Sequence, residues 1–168
     1  MEWYQVIEDI CKNAPSGDFV ECGTYYGVSA RVLAENCKGT LHLFDSWEGL
    51  PDLSEFDNEF YKTEKWIYDL EETKNNLSQF DNIKYYKGWY PNRFKEVDHP
   101  ISLLHIDASL YLSTKLCLEY FWPKLIDGGY LIVNFHDDIS LGAKKAVLEM
   151  FETNQLIKHT QGVNLIIK

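Results

Sequence analysis

Four short stretches of the chain hold the residue types that chemistry needs. The first, Glu21-Cys22-Gly23-Thr24-Tyr25-Tyr26-Gly27, sets an acidic residue two positions before one glycine and six before another. A glycine at that point lets the main chain turn sharply and lie bare against a ligand. A dinucleotide fingerprint needs glycines spaced G-x-G-x-x-G, so that a pyrophosphate can sit on open amides. Tyr25 stands where the second glycine would be, and pyrophosphate is disfavoured. Glu21 suits a cationic ligand better than a phosphate, because opposite charges attract. The alternative is a strand-to-helix turn with no ligand.

The second stretch is Asp45 with Ser46-Trp47-Glu48-Gly49. A carboxylate at a strand tip accepts two hydrogen bonds from a ribose diol, or it caps the turn that follows. The third is His105-Ile106-Asp107-Ala108-Ser109-Leu110-Tyr111. His105 and Asp107 share one strand face by the period of two. A carboxylate at the tip of a buried strand is costly unless it is paired, metal-bound or facing a wet cleft. Asp107 is therefore the foremost candidate for function, whereas His105, inside the strand, reads as a satisfied core histidine. The fourth stretch, Asn134-Phe135-His136-Asp137-Asp138, can join Asp107 in holding a divalent cation or in supplying a general base. It can also simply cap the helix that begins near Leu141. Phe135 at a ligand position argues against the metal.

These residues need a scaffold, and the pattern supplies one. Apolar periodicity predicts helices over 1–13, 27–35, 65–80, 113–125 and 141–152. Strands are expected over 18–22, 40–44, 83–87, 101–106 and 130–133, with Asp127-Gly128-Gly129 as a turn before the last. Residues 156–159 and 163–167 flank Thr160-Gln161-Gly162 as a closing hairpin. Strands alternating with helices imply an α/β, Rossmann-like doubly wound sheet of seven strands, about five of them parallel and the last two forming an antiparallel edge. In such sheets ligands bind beyond the carboxyl ends of the strands, where strand order reverses. All four stretches fall there. The polar segment 48–64 is longer than ordinary connections and reads as a lid that is mobile without ligand.

Composition narrows the function further. The chain has 168 residues, the length of one domain (1–168), and a net charge of −10. That surface repels phosphate backbones and anionic lipid, which speaks against nucleic-acid and membrane partners. No apolar run approaches the ~20 residues that span a bilayer, and the first residues carry no secretory signal. Four cysteines without a C-x-x-C pair favour reduced thiols over zinc ribbons or disulfides. A cytoplasmic protein is expected.

Together the stretches resemble class I S-adenosylmethionine-dependent methyltransferases and, more narrowly, the macrocin O-methyltransferase family. The likeness is carried by residues 17–27, by Phe44-Asp45-Ser46-Trp47-Glu48-Gly49-Leu50-Pro51 and by Tyr86-Lys87-Gly88-Trp89-Tyr90. It continues through Leu104-His105-Ile106-Asp107 with Leu110-Tyr111, then Gly128-Gly129-Tyr130-Leu131-Ile132-Val133, and Gly142-Ala143-Lys144-Lys145-Ala146-Val147. The resemblance implies S-adenosyl-L-methionine as cofactor, held by the loop with Glu21, Gly23, Tyr25 and Gly27. Glu21 would stand near the ammonium, Asp45 on the ribose, Ser46 and Trp47 along the adenosine, and Gly88 and Trp89 beside the adenine. Asp107 closes that set.

It also implies magnesium in the metal-dependent members, held by an aspartate after the fourth strand and two acidic residues after the fifth. Here the usual Asp-x-Asp-Leu-Tyr is Asp107-Ala108-Ser109-Leu110-Tyr111, and the acidic pair is Asn134-Phe135. Asp107, Asn134 and Asp137 remain as weak ligands, and magnesium, which asks for octahedral oxygen and one or two carboxylates, is not expected to be tightly bound. Asp107 is then the first choice for a general base and His136 the second. The expected activity is O-methylation of a small hydroxylated acceptor such as a sugar or a glycosylated metabolite. The alternative is a non-catalytic S-adenosylmethionine-binding module acting through protein partners. Full-length relatives cover the acceptor with a longer N-terminal part, so the cover here is expected from 48–64, the terminal hairpin or a second copy in a homo-oligomer.

Overall fold

A computed structural model describes residues 2–62, 66–159 and 162–168. Its frame is a seven-stranded sheet in the order β3-β2-β1-β4-β5-β7-β6. The strands are β1 (Phe19–Cys22), β2 (Leu41–Asp45), β3 (Ile83–Lys87), β4 (Ile101–Ile106), β5 (Leu125–Asn134), β6 (Ile157–Lys158) and β7 (Val163–Ile167). Strands β1 to β5 pair in parallel, and β7 runs antiparallel to both β5 and β6. Order reverses between β1 and β4, as the α/β reading requires. Thr160 and Gln161 of the expected hairpin turn lie outside the described residues.

Among the described residues five α-helices cover the two faces: α1 (Trp3–Lys12), α2 (Val28–Asn36), α3 (Leu70–Asn76), α4 (Tyr111–Phe121) and α5 (Leu141–Met150). Strand alternation sorts the core. Val20, Cys22, Leu104 and Ile106 pack toward Cys117, Leu118 and Phe121 of α4 and Ala143 and Val147 of α5. Phe19, Leu41, Leu43 and Leu103 pack toward Val6, Ile7 and Ile10 of α1 and Ala30 and Leu33 of α2. Glu21 and His105 have the parity of this second face, which is why two ionisable side chains end up fully buried there.

Three elements, α3, α4 and β5, differ most from the sequence pattern. Helix α3 is shorter than 65–80 because Asp69 caps it, accepting from the N–H groups of Glu71 at 2.8 Å and Glu72 at 3.1 Å; Lys65 lies outside the described residues. Helix α4 begins two residues early and ends at Phe121, where a 3₁₀ turn carrying Pro123 takes over. The turn at Asp127-Gly128-Gly129 exists, but as a bulge within β5. Leu125 pairs with Ile101 and Tyr130 with Leu103, leaving residues 126–129 looped out against β4. The carboxyl terminus secures this bulge through Lys168 N–H to Gly129 O at 3.0 Å.

Candidate active site

Beyond the carboxyl ends of β1, β2 and β4 lies a cavity of about 750 Å³, within the range of small-molecule sites. Gly23, Tyr25, Asp45, Ser46, Gly88, Trp89, Asp107, Asn134 and His136 all reach its wall. Glu21, Gly27, Trp47 and Asp137 do not.

Gly23 has φ +91°, and a Cβ there would overlap the Asp107 carbonyl, lying 2.7 Å from its carbon. Only hydrogen fits, so the first loop and the tip of β4 touch backbone to backbone at the point where strand order reverses. Tyr25, at φ 51°, carries the loop through a conformation that a large side chain seldom adopts. Asp45 holds it there. One Asp45 oxygen accepts the N–H groups of Thr24 at 2.8 Å and Tyr25 at 2.9 Å. The other accepts the N–H of Trp47 at 2.7 Å. The capping reading of Asp45 is therefore realised, and the residue also lines the cavity.

Trp47 stands behind that wall. It is 4% exposed, and its indole N–H donates to Tyr25 O at 3.2 Å and Thr73 Oγ1 at 3.0 Å. It braces the loop and lines nothing. Gly27 is the N-cap of α2 at φ 94°, packed on Leu77, and is likewise architectural. Glu21 departs furthest from its expected position near an ammonium. Its carboxylate is wholly buried, accepting from Thr24 Oγ1 at 3.0 Å and pairing with His105 Nδ1 at 2.9 Å. β1 and β4 pair with Glu21 opposite His105, so the sheet register makes this contact.

His105 is consequently more than a satisfied core histidine. Burial by itself would depress its pKa, but the Glu21 carboxylate, joined by Asp107 and Asn134, holds the imidazole above its ordinary value. Its Nε2 has no hydrogen-bond partner among the described residues, nor has Asn134 Oδ1. The two side chains are close enough for Asn134 to favour the protonated imidazole, yet outside hydrogen-bond geometry. The Asn134 amide then donates to Asp107 Oδ2 at 3.1 Å. Polar side chains thus follow one another from buried Glu21 and His105 to half-buried Asn134 and Asp107, with no hydrogen bond closing the step between His105 and Asn134. Burial raises the Asp107 pKa above its ordinary value, against the opposing pull of His105 and Asn134. Asp107 is a carboxylate at a cavity wall with a strengthened hold on a proton, which is what a general base needs.

The residues after β5 do not assemble a cation site around it. Phe135 is 3% exposed and packs in the core with Val133 and Ala143. Asn134 presents a donor to Asp107. Asp137 turns outward to Lys144 at 2.9 Å and Lys158 at 3.5 Å. His136 is exposed, on the cavity wall beside Gly162. Of Asp107, Asp137 and Asp138, Asp107 alone lines the cavity.

Sequence reasoning missed what fastens 48–62 over the site. Asp57 Oδ1 accepts the N–H of Tyr111 at 2.7 Å and so caps α4 from a distant part of the chain. Gly142 leaves room for it, since a Cβ there would meet both the Asp57 carboxylate and Tyr111 N. Tyr61 shares a hydrogen bond with Ser140 at 3.0 Å. The segment expected as a loose lid is tied to α4 and α5, and Leu50, Pro51 and Tyr61 form part of the cavity wall. Residues 63 and 64 of that expected lid lie outside the described residues. Asp57 three residues after Ser54 was the available signal, a capping-box spacing in which Asp57 Oδ2 accepts the Ser54 N–H at 2.9 Å; its long-range partner was not.

No helix among the described residues is long and apolar enough to cross a membrane. All four cysteines are free and buried, with burial pushing the Cys11 thiol up to about 12.

The profile described as Macrocin-O-methyltransferase (TylF) matches residues 2–164. Demethyldecarbamoylnovobiocin O-methyltransferase of Streptomyces niveus is 25% identical over 151 residues, covering 77% of this chain and 56% of that protein. A 4'-O-methyltransferase of Streptomyces olivaceus, named for a dimethoxy-rhamnosyl tetracenomycin C, is 23% identical over 156 residues, covering 82% and 58%. The chain thus spans little more than half the length of these relatives. The solved structure of the O-methyltransferase NovP superposes with TM-score 0.79 at 23% identity, covering 98% of this chain and 78% of that one. That likeness establishes the fold.

Proposed function

Since this chain belongs to the macrocin O-methyltransferase family, we propose that it methylates a hydroxyl of a small acceptor, such as a sugar or a glycosylated metabolite, using S-adenosylmethionine. One observation carries the reading: Asp107 stands on the wall of a ligand-sized cavity, at the strand-order switch, across β1 from Asp45.

The residues fit the cofactor. Gly23 and Gly88 leave bare main chain, Asp45 offers carboxylate oxygens to a diol, and Tyr25 and Trp89 offer ring faces. When bound, S-adenosylmethionine supplies a methyl group on a positively charged sulfur. No lysine or arginine lines the cavity among the described residues, which suits a cationic cofactor and an acceptor without phosphate.

The protein's own part is to align the acceptor and take its proton. An alkyl hydroxyl releases its proton far less readily than a phenol, whose pKa is near ~10, so base assistance matters. Asp107 receives that proton at the carboxylate oxygen Asn134 leaves free. Its environment disfavours the charged form, which makes it a stronger base than an exposed aspartate. Asn134 orients it. His136, exposed on the same wall, is the alternative acceptor of the proton. Leu50, Pro51, Leu112 and Ile139 give the acceptor side of the cavity an apolar lining. No step runs through magnesium.

Calorimetry with S-adenosylhomocysteine and NAD, each with and without magnesium, tests the cofactor half. Binding of S-adenosylhomocysteine alone is expected. Binding of NAD instead would overturn the reading. Transfer of labelled methyl to a panel of glycosides tests the rest, and tight cofactor binding with no transfer to any hydroxyl would make the protein a binding module.

A further inference from the structure

The amino end of the same sheet, remote from the cavity, holds a second cluster. Asp18 directly precedes β1, His42 lies in β2, and His99 stands two residues before β4. Asp18 Oδ2 is 3.1 Å from His42 Nε2 and 2.9 Å from His99 Nε2. All three donor atoms lie within 4.8 Å of one another. Among the described residues, no other trio of histidine, cysteine, aspartate or glutamate side chains comes together in this way.

The donor set selects the ion. Two imidazole nitrogens and one carboxylate oxygen suit a borderline divalent metal, whereas magnesium and calcium ask for oxygen throughout. Zinc bonds of about 2.0–2.1 Å in a tetrahedron place neighbouring donors roughly 3.3 Å apart, so the two measured separations are near those of a loaded site. The supporting contacts are those that metal ligands use. His42 Nδ1 lies 2.9 Å from Tyr86 Oη, and Asp18 Oδ1 accepts the Thr40 N–H at 2.8 Å. His42 is 2% exposed, so its side chain is fixed in place by the sheet around it. The His99 side chain is 44% exposed, which gives an ion a path in and water a coordination position.

We propose that Asp18, His42 and His99 form a three-ligand zinc-type site that clasps β1, β2 and the β3–β4 connection at the end of the sheet remote from the cavity. In the unloaded state each Nε2–H donates to Asp18. On loading, His42 keeps one proton but carries it on Nδ1, donating to Tyr86, while His99 does the same toward water. No oxidant or further ligand is required, and the site acts on stability with no part in cofactor binding.

The full chain, stripped with a chelator, is titrated with zinc chloride under thermal-shift detection and with cobalt chloride under absorption. Zinc at a hundredfold excess over its Kd is expected to raise Tm by about 5–10 °C. Cobalt should give d–d bands without a thiolate charge-transfer band, because the cysteines take no part. His99→Ala, an exposed change, should weaken zinc binding more than about tenfold, and Tyr86→Phe about 10–100-fold. S-adenosylhomocysteine affinity should stay unchanged in His99→Ala. Absence of any zinc shift, zinc binding indifferent to His99→Ala, or a thiolate band with cobalt would each overturn the site.

Discussion

Asp45 and Asp107 occupy equivalent places, one at the tip of β2 and one just past β4, with β1 between them. Their surroundings assign them different work. Asp45 accepts three main-chain N–H groups, two from the first loop and one from its own turn. Asp107 accepts one side-chain amide and is otherwise enclosed by burial that opposes its charge. A carboxylate surrounded by backbone donors is a frame, with only its remaining lone-pair directions left for a ligand. A carboxylate starved of donors holds its proton more tightly, which on the proposed function makes it the base. Residue type and strand position are the same in both cases, and the donors decide the role.

The sharpest way to break this contrast is Asp107→Asn. Methyl transfer should fall by about 10²–10⁴-fold, while S-adenosylhomocysteine affinity holds. The pH profile carries the sign. Burial raises the Asp107 pKa above 3.8 and the deprotonated form is the base, so the wild-type rate should climb with pH through an inflection above that value. Asp107→Asn should abolish the inflection. Retention of the wild-type rate in that variant would pass the role to His136.

Asp45→Ala tests the frame. It should cost cofactor affinity about 1.5–3 kcal/mol for each charge-assisted bond lost to the ribose, and lower Tm as well, since three main-chain donors lose their acceptor. Calorimetry with S-adenosylhomocysteine that shows no change would confine Asp45 to holding the loop.

A smaller effect is expected from Asp57→Ala, which uncaps α4 at about 0.5–2 kcal/mol and frees residues 48–62. Limited proteolysis should cut that segment faster in the variant, and cofactor with acceptor should slow the cutting. Equal rates in variant and wild type would mean that Tyr61 and Ser140 alone retain the segment. The smallest effect belongs to magnesium. Its addition should leave the rate of the wild-type protein unchanged, because one carboxylate binds that ion poorly; a magnesium-dependent rate lost in Asp107→Ala would contradict the donor count.

Much of this was legible in the sequence because it is local. Strand periodicity, Gly23 after the first strand, and carboxylates at strand tips depend on neighbours a few residues away, and the family motifs mark the same places. What escaped was the identity of distant partners. His105 meets Glu21 across 84 positions and Asp57 meets Tyr111 across 54. Nothing in His-Ile-Asp says that the imidazole will face a buried carboxylate, since that follows from which strands become neighbours. Helix α4 starts early for the same reason, its cap being supplied from the far loop. Asp127-Gly128-Gly129 was recognised as a turn, but only pairing with β4 and Lys168 makes that turn a bulge.

The contact between Gly23 and the Asp107 carbonyl bears on how such a protein can change over generations. With no room for a methyl group between the two strands, neither the Gly23 loop nor the Asp107 segment can be remodelled alone. They are inherited as one unit. On the proposed function, novelty in acceptor choice would accumulate where the walls are independent of that contact, at the cavity-lining Leu50, Pro51, Leu112 and Ile139.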